Sequence, residues 1–150
     1  DLTQFKRWYT QSGTPTVTVT RSYDSDFRTL SVSFSQHTPP DRNQSEKQPL
    51  HIPVRMALID PDGNEILPEQ GGLIQLTDKT RTEVFENVPK GSLPSVFRQF
   101  SAPVKIATDL TNEELAFLMA RDTDDFNRWD AKQTLFKKEI QPAETGCLNR

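Results

Sequence analysis

Apolar and polar residues alternate along much of the first hundred positions. "TVTVTR" places Val17 and Val19 on one face and threonines on the other, and "FRTLSVSFSQ" and "HIPVRMALID" repeat this alternation. Strict period-two alternation predicts strands with one buried and one solvent-facing side, which is typical of antiparallel sheets. Shorter candidate strands follow at "EIL", "LIQL", "TEVFENV", "SVFRQF" and "VKIAT". Seven or eight short strands without helices between them predict an immunoglobulin-like antiparallel β-sandwich.

A short helix is predicted before the first strand. It is expected over residues 2–11, where Leu2, Phe5 and Trp8 or Tyr9 recur at helical spacing and so should share one face. Gly13 and Pro15 follow, and this pair predicts that the helix ends there and feeds directly into the strand.

Two further helices are predicted after residue 110. Thr111 and Glu114 stand in capping-box register ahead of a run of leucines on one face. The stretch "DTDDFNRWDAKQTLFKKEI" predicts the second helix. Asp122, Asp124 and Asp125 are expected in its first turn and lysines in its last, as the helix dipole favours.

A long polar segment, "QHTPPDRNQSEKQPL", separates the second and third predicted strands. It is too long for a tight turn, so we expect an exposed connection that crosses from one sheet to the other. "DPDGNE" resembles a calcium loop, but its glycine and glutamate are at the wrong positions. A hairpin turn explains this stretch better.

The core must be built from few large side chains, because only 33% of the 150 residues are apolar and eleven are proline. Aromatic residues are expected to supply much of the burial. The candidates are Phe5, Trp8, Phe27, Phe34, Phe85, Phe97 and Phe100. A net charge of −3 argues against a nucleic-acid or anionic-membrane surface, and no apolar run approaches transmembrane length.

Candidate chemistry is sparse. His37, His51 and Cys147 do not have the spacing of a zinc site, and the zinc-binding pattern H-E-x-x-H is absent. Cys147 is the sole cysteine, which excludes an intrachain disulfide, and no base is placed to activate it. No catalytic residue, metal site or cofactor is therefore predicted in this chain.

The stretch "FNRWDA" is the remaining signal. Phe126 and Trp129 lie three residues apart on one predicted helical face, with Arg128 beside them. This face either packs on the sandwich or belongs to an interface with more helices, where Trp and Arg are common anchors.

Three separated stretches resemble a known family. They are "FKRWYTQSGTPTVTV", "EKQPLHIPVRMALIDPDG" and "QFSAPVKIATDLTNEELAFLMARDTDDFNRWDA". In order and spacing they resemble the bacterial aminopeptidase N family, the alanyl aminopeptidases of the gluzincin class of zinc metallopeptidases. The resemblance spans residues 1 to about 137, and it is weaker in the loop around residues 38–46.

The resemblance implies a position within a larger protein. Members of the family combine an N-terminal β domain, a thermolysin-like catalytic domain, a small β-sandwich and a large C-terminal helical domain. Residues 1–13 would end the catalytic domain, residues 14–109 would form the sandwich, and residues 110–150 would begin the helical domain. Asp1 would then follow a cut inside a longer chain. The family's catalytic motifs are absent, so no catalytic or metal-binding residue carries over and the chain alone is expected to be inactive.

The resemblance also implies a function, that of a non-catalytic spacer in a cytoplasmic zinc aminopeptidase. The spacer would hold the helical domain over the catalytic cleft. Zinc and the peptide substrate would bind in the missing catalytic domain, and the partners would be the catalytic and helical domains of the same polypeptide. Trp8 on one side, and Phe126, Arg128 and Trp129 on the other, are the candidate interdomain contacts. The alternative is a free-standing Ig-like binding or interaction module.

Overall fold

The alternating stretches fold into strands whose apolar sides face each other across one core. A computed structural model describes residues 1–147, and the side chains of residues 1–139. Eight strands form two sheets, with a short helix before them and two helices after them. In chain order the elements are α1 (Arg7–Thr10), β1 (Thr16–Asp24), β2 (Thr29–His37), β3 (Ile52–Ile59), β4 (Glu65–Ile66), β5 (Leu73–Leu76), β6 (Thr80–Phe85), β7 (Leu93–Val96), a 3₁₀ turn (Arg98–Phe100), β8 (Lys105–Thr108), α2 (Asn112–Arg121) and α3 (Asp125–Cys147).

The first sheet has the strand order β6-β2-β1-β8. β1 and β2 form a hairpin, as their sequences predict, and β2 also pairs antiparallel with β6. β8 is an exception to the predicted antiparallel pairing, since it runs parallel to β1. Parallel strands cannot be joined by a tight hairpin and need a longer connection between them. β8 meets this requirement because the chain passes through the second sheet before β8 pairs with β1.

The second sheet is built around β3. Its first half, from Ile52 to Arg55, pairs with β5, and its second half pairs with β7 and, at its end, with β4. The segment before β3 crosses from the first sheet to the second, as predicted. The turn before β4 is the predicted hairpin turn, in which Asn64 O accepts a hydrogen bond from Asp60 N and Gly63 adopts a positive φ of 88°.

The core lies between the two sheets and consists of the predicted inward-facing residues. Val17 and Val19 of β1 are at most 2% exposed. The apolar residues of β2 and β3 that were predicted to share a face are buried with them. They are Leu30, Val32, Phe34, Ile52, Val54, Met56 and Leu58. Alternation therefore identified the core of the three long strands correctly.

The aromatic contribution to the core is smaller than the composition predicts. Phe34, Phe85 and Phe97 are buried. Phe27 is 77% exposed, because it lies in the β1–β2 turn, and Phe100 is 56% exposed. Phe5 is 45% exposed, because the segment from residue 3 to residue 10 turns it away from the sandwich. The expectation that these three rings fill the core is wrong.

The helices also depart from the predictions at their ends. α1 comprises only Arg7–Thr10, preceded by turns. "SVFRQF" is not one strand, because Phe97 takes a left-handed φ of 54° after β7 and a 3₁₀ turn follows. α3 continues to Cys147 and has no lysine in its last turn. The side chain of Cys147 lies outside the described residues.

Two of the predicted first-turn acids lie outside the helix. α3 begins at Asp125, so Asp122 and Asp124 belong to the link between α2 and α3. Both are buried, with exposures of 4% and 8%. The capping box of α2 is confirmed, since Glu114 N donates to Thr111 Oγ1 and Thr111 N donates to Glu114 Oε2.

Replacing Phe34 by Ala is expected to destabilise the fold by about 3–5 kcal/mol, because a 1%-exposed ring is removed from the sandwich core. The matched control is Phe27→Ala, which removes a 77%-exposed ring and should change stability by no more than about 0.5 kcal/mol. Urea unfolding followed by circular dichroism measures both. Equal losses in the two variants would contradict the assignment of the core.

Candidate contact surfaces

The segment before β1 is attached to the start of β3 by side chains that donate to backbone carbonyls. The Trp8 indole donates from Nε1 to His51 O at 2.8 Å, and Arg7 Nη1 donates to Pro49 O at 2.7 Å. The Trp8 side chain also packs against the sandwich core. Because Ile52 opens β3, these bonds fix the segment at one end of the central strand of the second sheet.

The loop between β2 and β3 holds the same segment through a polar cluster. Lys47 Nζ donates to Ser12 O, Asp41 Oδ2 and Gln44 Oε1 at 2.8–3.0 Å. Ser12 Oγ also donates to Asp41. Hydrogen bonds from Ser12 and Lys47 hold the pKa of Asp41 well below its usual range. The loop is largely exposed, as the sequence predicts, and these contacts also make it part of this attachment.

The outward face of this segment was not anticipated. Leu2, Phe5 and Tyr9 are 66%, 45% and 82% exposed, and the Phe5 and Tyr9 rings meet edge to face at 6.3 Å. Trp8, the predicted interdomain contact, joins residues 1–13 to the sandwich and not to an outer surface. A role for Trp8 in a contact with a further domain stays a prediction.

α2 and α3 are attached to the opposite end of β3. Ile59, the last residue of β3, lies in a buried apolar cluster with Leu93 of β7. The remaining members of this cluster come from α2, α3 and the link between β8 and α2: Leu110, Leu115, Leu118 and Ala131. The helices therefore pack on the sandwich through apolar side chains from both parts.

A buried polar network accompanies this apolar cluster. Ser95 Oγ donates to Asp122 Oδ2 at 2.6 Å, and Asn127 Nδ2 donates to Ser95 Oγ at 2.7 Å and to Val96 O at 2.9 Å. Asp124 caps α3, since its carboxylate accepts from Asn127 N at 2.9 Å. Every side chain named here is buried, so the bonds to Ser95 and Val96 tie the helices to β7 away from water.

Arg98 provides the positive charge of the network. Its guanidinium lies 3.2 Å from Glu65 Oε2 and 3.5 Å from Asp122 Oδ1, and it also donates to Thr123 Oγ1. Thr123 Oγ1 donates to Glu65 Oε2 at 2.5 Å. That bond lowers the pKa of Glu65 below its usual value; partial burial opposes the shift and Arg98 reinforces it. One guanidinium thus faces carboxylates from the sandwich and from the helix link.

Arg21 makes a second ionic tie, from β1 to α2. Its Nη2 lies 2.5 Å from both carboxylate oxygens of Glu114, and its Nε lies 3.6 Å from Asp109. Burial acts to raise the pKa of Glu114, but hydrogen bonds from Arg21 and Thr111 outweigh burial and hold the pKa below its usual value. The same glutamate therefore caps α2 and anchors it to the first sheet.

The predicted aromatic contacts of α3 lie beside this joint. The Phe126 ring is half-buried and stands 5.5 Å from the Phe100 ring and 5.9 Å from that of Trp129. Trp129 is 54% exposed. The structure thus brings Phe126 and Trp129 together on one surface, as the sequence predicts, and adds Phe100 from the 3₁₀ turn.

Arg128, the third predicted contact on α3, is half-exposed. Its Nε donates to Met119 O near the end of α2 at 3.2 Å, and its Nη1 lies 4.0 Å from Asp125. It therefore supports the α2–α3 turn, and a contact with a further domain stays a prediction.

A cleft of about 270 Å³ lies between the sandwich and α3. Its lining includes Val19, Ile106 and Leu118 together with Asp130. Burial raises the pKa of Asp130, although Lys137 opposes the shift.

Among the described side chains, those of residues 1–139, no three or more His, Cys, Asp or Glu are grouped as a metal site would require. His51 Nε2 lies 2.5 Å from Gln75 Oε1. None of the described helices has the length and hydropathy needed to span a bilayer.

Sequence reasoning missed the residues that join the helices to the sandwich. Ser95 lies in a short strand, and its neighbours do not indicate a hydrogen bond to a residue 27 positions away. Asp124 did carry a usable signal, since Asp is a favoured N-cap and Asn127 follows three positions later. The signal was assigned to the helix dipole instead.

Comparisons with known proteins cover the whole of this arrangement. Residues 13–109 match the family described as a domain of unknown function, DUF3458, with an Ig-like fold, which confirms the predicted fold class. Residues 112–145 match the family described as DUF3458_C, ARM repeats. In the solved structure of Legionella pneumophila aminopeptidase A in complex with aspartic acid, a region superposes with a TM-score of 0.81 at 28% identity. It covers 100% of this chain and 16% of that one.

Curated relatives match over nearly the same span. Aminopeptidase N of Escherichia coli K12 is 41% identical over 146 residues, and that of Haemophilus influenzae Rd is 38% identical; both alignments cover 94% of this chain. Aminopeptidase N of Caulobacter vibrioides is 36% identical over 98% of the chain. The chain spans 17% of the length of each of these relatives.

Replacing Glu65 by Gln is expected to destabilise the protein by less than about 1 kcal/mol at neutral pH, because its pair with Arg98 is partly exposed to water. Its folded-state pKa lies below its unfolded value, so the stabilisation is complete above about pH 4.3 and is lost as the pH falls through the folded pKa. Urea unfolding of both proteins across this range should show the difference shrinking toward acid. Glu69→Gln, in the turn before β5, is the control, and a difference that grows toward acid would refute the assignment.

Proposed function

Because this chain belongs to the DUF3458 family of Ig-like domains, we propose that it is the non-catalytic spacer of a longer aminopeptidase polypeptide. The family membership and the aminopeptidase N relatives confirm the resemblance drawn from three stretches of sequence. The spacer would join a preceding zinc-dependent catalytic part to a following helical part. The parent enzyme would be a cytoplasmic hydrolase that releases N-terminal residues from peptides.

The observation that carries this proposal is the position of the two attachments along β3. The segment before β1 is bonded at His51, one residue before β3, and the helices pack on Ile59, where β3 ends. Eight residue steps at roughly 3.3 Å each place these attachments about 26 Å apart. One continuous strand in the middle of a packed sheet therefore sets the distance between the segment before the sandwich and the helices after it.

The mechanism of such a spacer is geometric. Buried side chains on both sheets keep β3 from bending, and the polar network at Asp122 fixes the angle of the helices relative to β7. In the parent enzyme this would hold the helical part at a constant position over the catalytic cleft and so control access for peptides. Zinc and substrate would bind in the catalytic part, and no residue of this chain is proposed to act on either.

The alternative is a free-standing binding module. The cleft beside Asp130 is a feature that could serve such a module, since it combines apolar walls with a partly buried carboxyl group. The attachments at both ends of β3 favour the spacer, because a module that works alone has no need of them.

Reconstitution from parts tests the spacer. The residues that precede this chain, the chain itself and the residues that come after it are produced separately and assayed, alone and mixed, with a chromogenic alanyl substrate. Hydrolysis is expected to rise at least tenfold only when all three are present, because the chain brings the other two into register. Phe34→Ala in the chain should restore less activity than the wild type, and Phe27→Ala should restore as much.

Two results would refute the spacer. One is full activity of the outer parts without the chain, and the other is hydrolysis by the chain alone. Failure of the chain to bind either outer part at micromolar concentration would also count against it and would favour the free-standing module.

A further inference from the structure

The cleft between the sandwich and α3 contains a carboxylate that the contacts described so far do not employ. Within residues 1–139, no hydrogen bond or ion pair reaches the Asp130 carboxylate, whereas the backbone carbonyl of Asp130 accepts from Thr134 Oγ1 at 2.9 Å. Burial raises the pKa of Asp130, because the charged form is less well solvated there. Since buried polar groups usually have a partner, this half-buried carboxylate is an exception that needs an explanation.

The other two carboxylates that line the cleft have positive partners. Asp109 lies 3.6 Å from Arg21 Nε, and Asp122 lies 3.5 Å from Arg98 Nη2. Both arginines belong to the sandwich, so these two charges are balanced within the fold. Asp130 differs from them, because within residues 1–139 it has no arginine or lysine at ion-pair distance.

Two lysines of α3, Lys137 and Lys138, lie on the Asp130 side of the helix without neutralising it. Lys138 also lines the cleft, but its Nζ donates to Leu110 O at 3.1 Å. The charge of Lys137 acts to lower the pKa of Asp130, and burial outweighs it. A cation that pairs directly with Asp130 would therefore have to come from a ligand.

The rest of the cleft is suited to an apolar body. Val19 of β1 and Ile106 of β8 line it from the sandwich, and Leu118 of α2 and Ala131 of α3 line it from the helices. Its volume of about 270 Å³ is smaller than the roughly 300–1,000 Å³ of sites that hold drug-sized ligands. The size and the chemistry together fit a small molecule with a hydrocarbon part and one positive charge.

We propose that this cleft binds a small aliphatic primary ammonium ion, with its ammonium group at the Asp130 carboxylate and its hydrocarbon part against Val19, Ile106 and Leu118. An ammonium group supplies both the N–H donors and the positive charge that the carboxylate lacks, and such charge-assisted bonds are among the stronger hydrogen bonds in proteins. A neutral alcohol of the same shape supplies a donor without the charge. An anion of similar size is repelled.

This inference goes beyond the spacer role and does not rest on it, because every contact it uses lies within this chain. The bound ion would touch the sandwich on one side and the helices on the other. Binding should therefore stabilise the joint between them, in addition to satisfying Asp130.

Three small probes with a shared branched hydrocarbon part test the site on the 150-residue chain. They are 3-methylbutylammonium, the neutral 3-methylbutanol and the anionic 3-methylbutanoate, each titrated at neutral pH while ¹H–¹⁵N correlation spectra are recorded. We expect the amide signals of residues 106–108 and 130–134 to shift with the ammonium ion. Its dissociation constant should be at least tenfold lower than that of the alcohol, because the alcohol has no charge to pair with Asp130. The amide of Phe27, in the β1–β2 turn, is the internal control.

Two variants separate the carboxylate of the cleft from the charge of the helix. Asp130→Asn keeps the shape of the side chain and removes its charge, so it should bind the ammonium ion about as weakly as the wild type binds the alcohol. Asp125→Asn removes the same charge from a fully exposed position of α3 and should bind the ion as the wild type does. The ion should also raise the urea midpoint of the wild type more than that of Asp130→Asn, since a ligand that binds only the folded chain stabilises it.

Equal affinity of the wild type for the ammonium ion and the alcohol would overturn the inference, and this comparison stands even where Asp130→Asn fails to fold. Equal weakening in Asp130→Asn and Asp125→Asn would also overturn it, because the effect would then come from the charge of α3 as a whole. Shifts confined to residues outside the cleft would do the same. None of these results bears on the reconstitution assay, so the inference and the spacer role fail separately.

Discussion

The buried carboxylate of Asp122 needs hydrogen-bond donors and a positive charge from within the protein, because water does not reach it. Its side chain is fully buried, and it accepts hydrogen bonds from Ser95 Oγ and Asp124 N while lying 3.5 Å from the Arg98 guanidinium. Removing one partner of a buried charge typically costs about 3–5 kcal/mol. Two regions distant in sequence therefore have to meet at one point: β7 with the 3₁₀ turn after it, and the link between α2 and α3. The position of the helices on the sandwich follows from that requirement.

The two attachments of the sandwich are built differently. Before β1, Arg7 and Trp8 donate to backbone carbonyls, which are present whatever residue occupies the accepting position. At the helices, side chains bond to side chains, as in Asn127 to Ser95. The first attachment also has side-chain bonds, between Ser12, Asp41 and Lys47, but these are exposed, whereas the side-chain bonds of the helix joint are buried. The helix joint is thus the more specific of the two.

Much of the fold could be predicted because its long strands are locally consistent. Short-range patterns predict the alternation in β1, β2 and β3 and the capping box at Thr111 correctly, because each of these depends on residues within one element. The features that could not be predicted depend on contacts between elements. Phe27 and Phe34 are chemically identical, and only the position of the β1–β2 turn decides which one is buried. The parallel pairing of β8 and the bond between Ser95 and Asp122 likewise depend on how distant segments of the chain are placed in the fold, which a local sequence pattern does not indicate.

β3 also determines where this domain tolerates insertions and deletions. Adding one residue to the β1–β2 turn changes neither attachment, because that turn lies outside the path from His51 to Ile59. Adding one residue within β3 would lengthen that path by roughly 3.3 Å and would turn every inward side chain beyond it toward solvent. Changes in chain length are therefore expected to be tolerated in the turns outside β3, whose eight residues set a fixed distance between the two attachments.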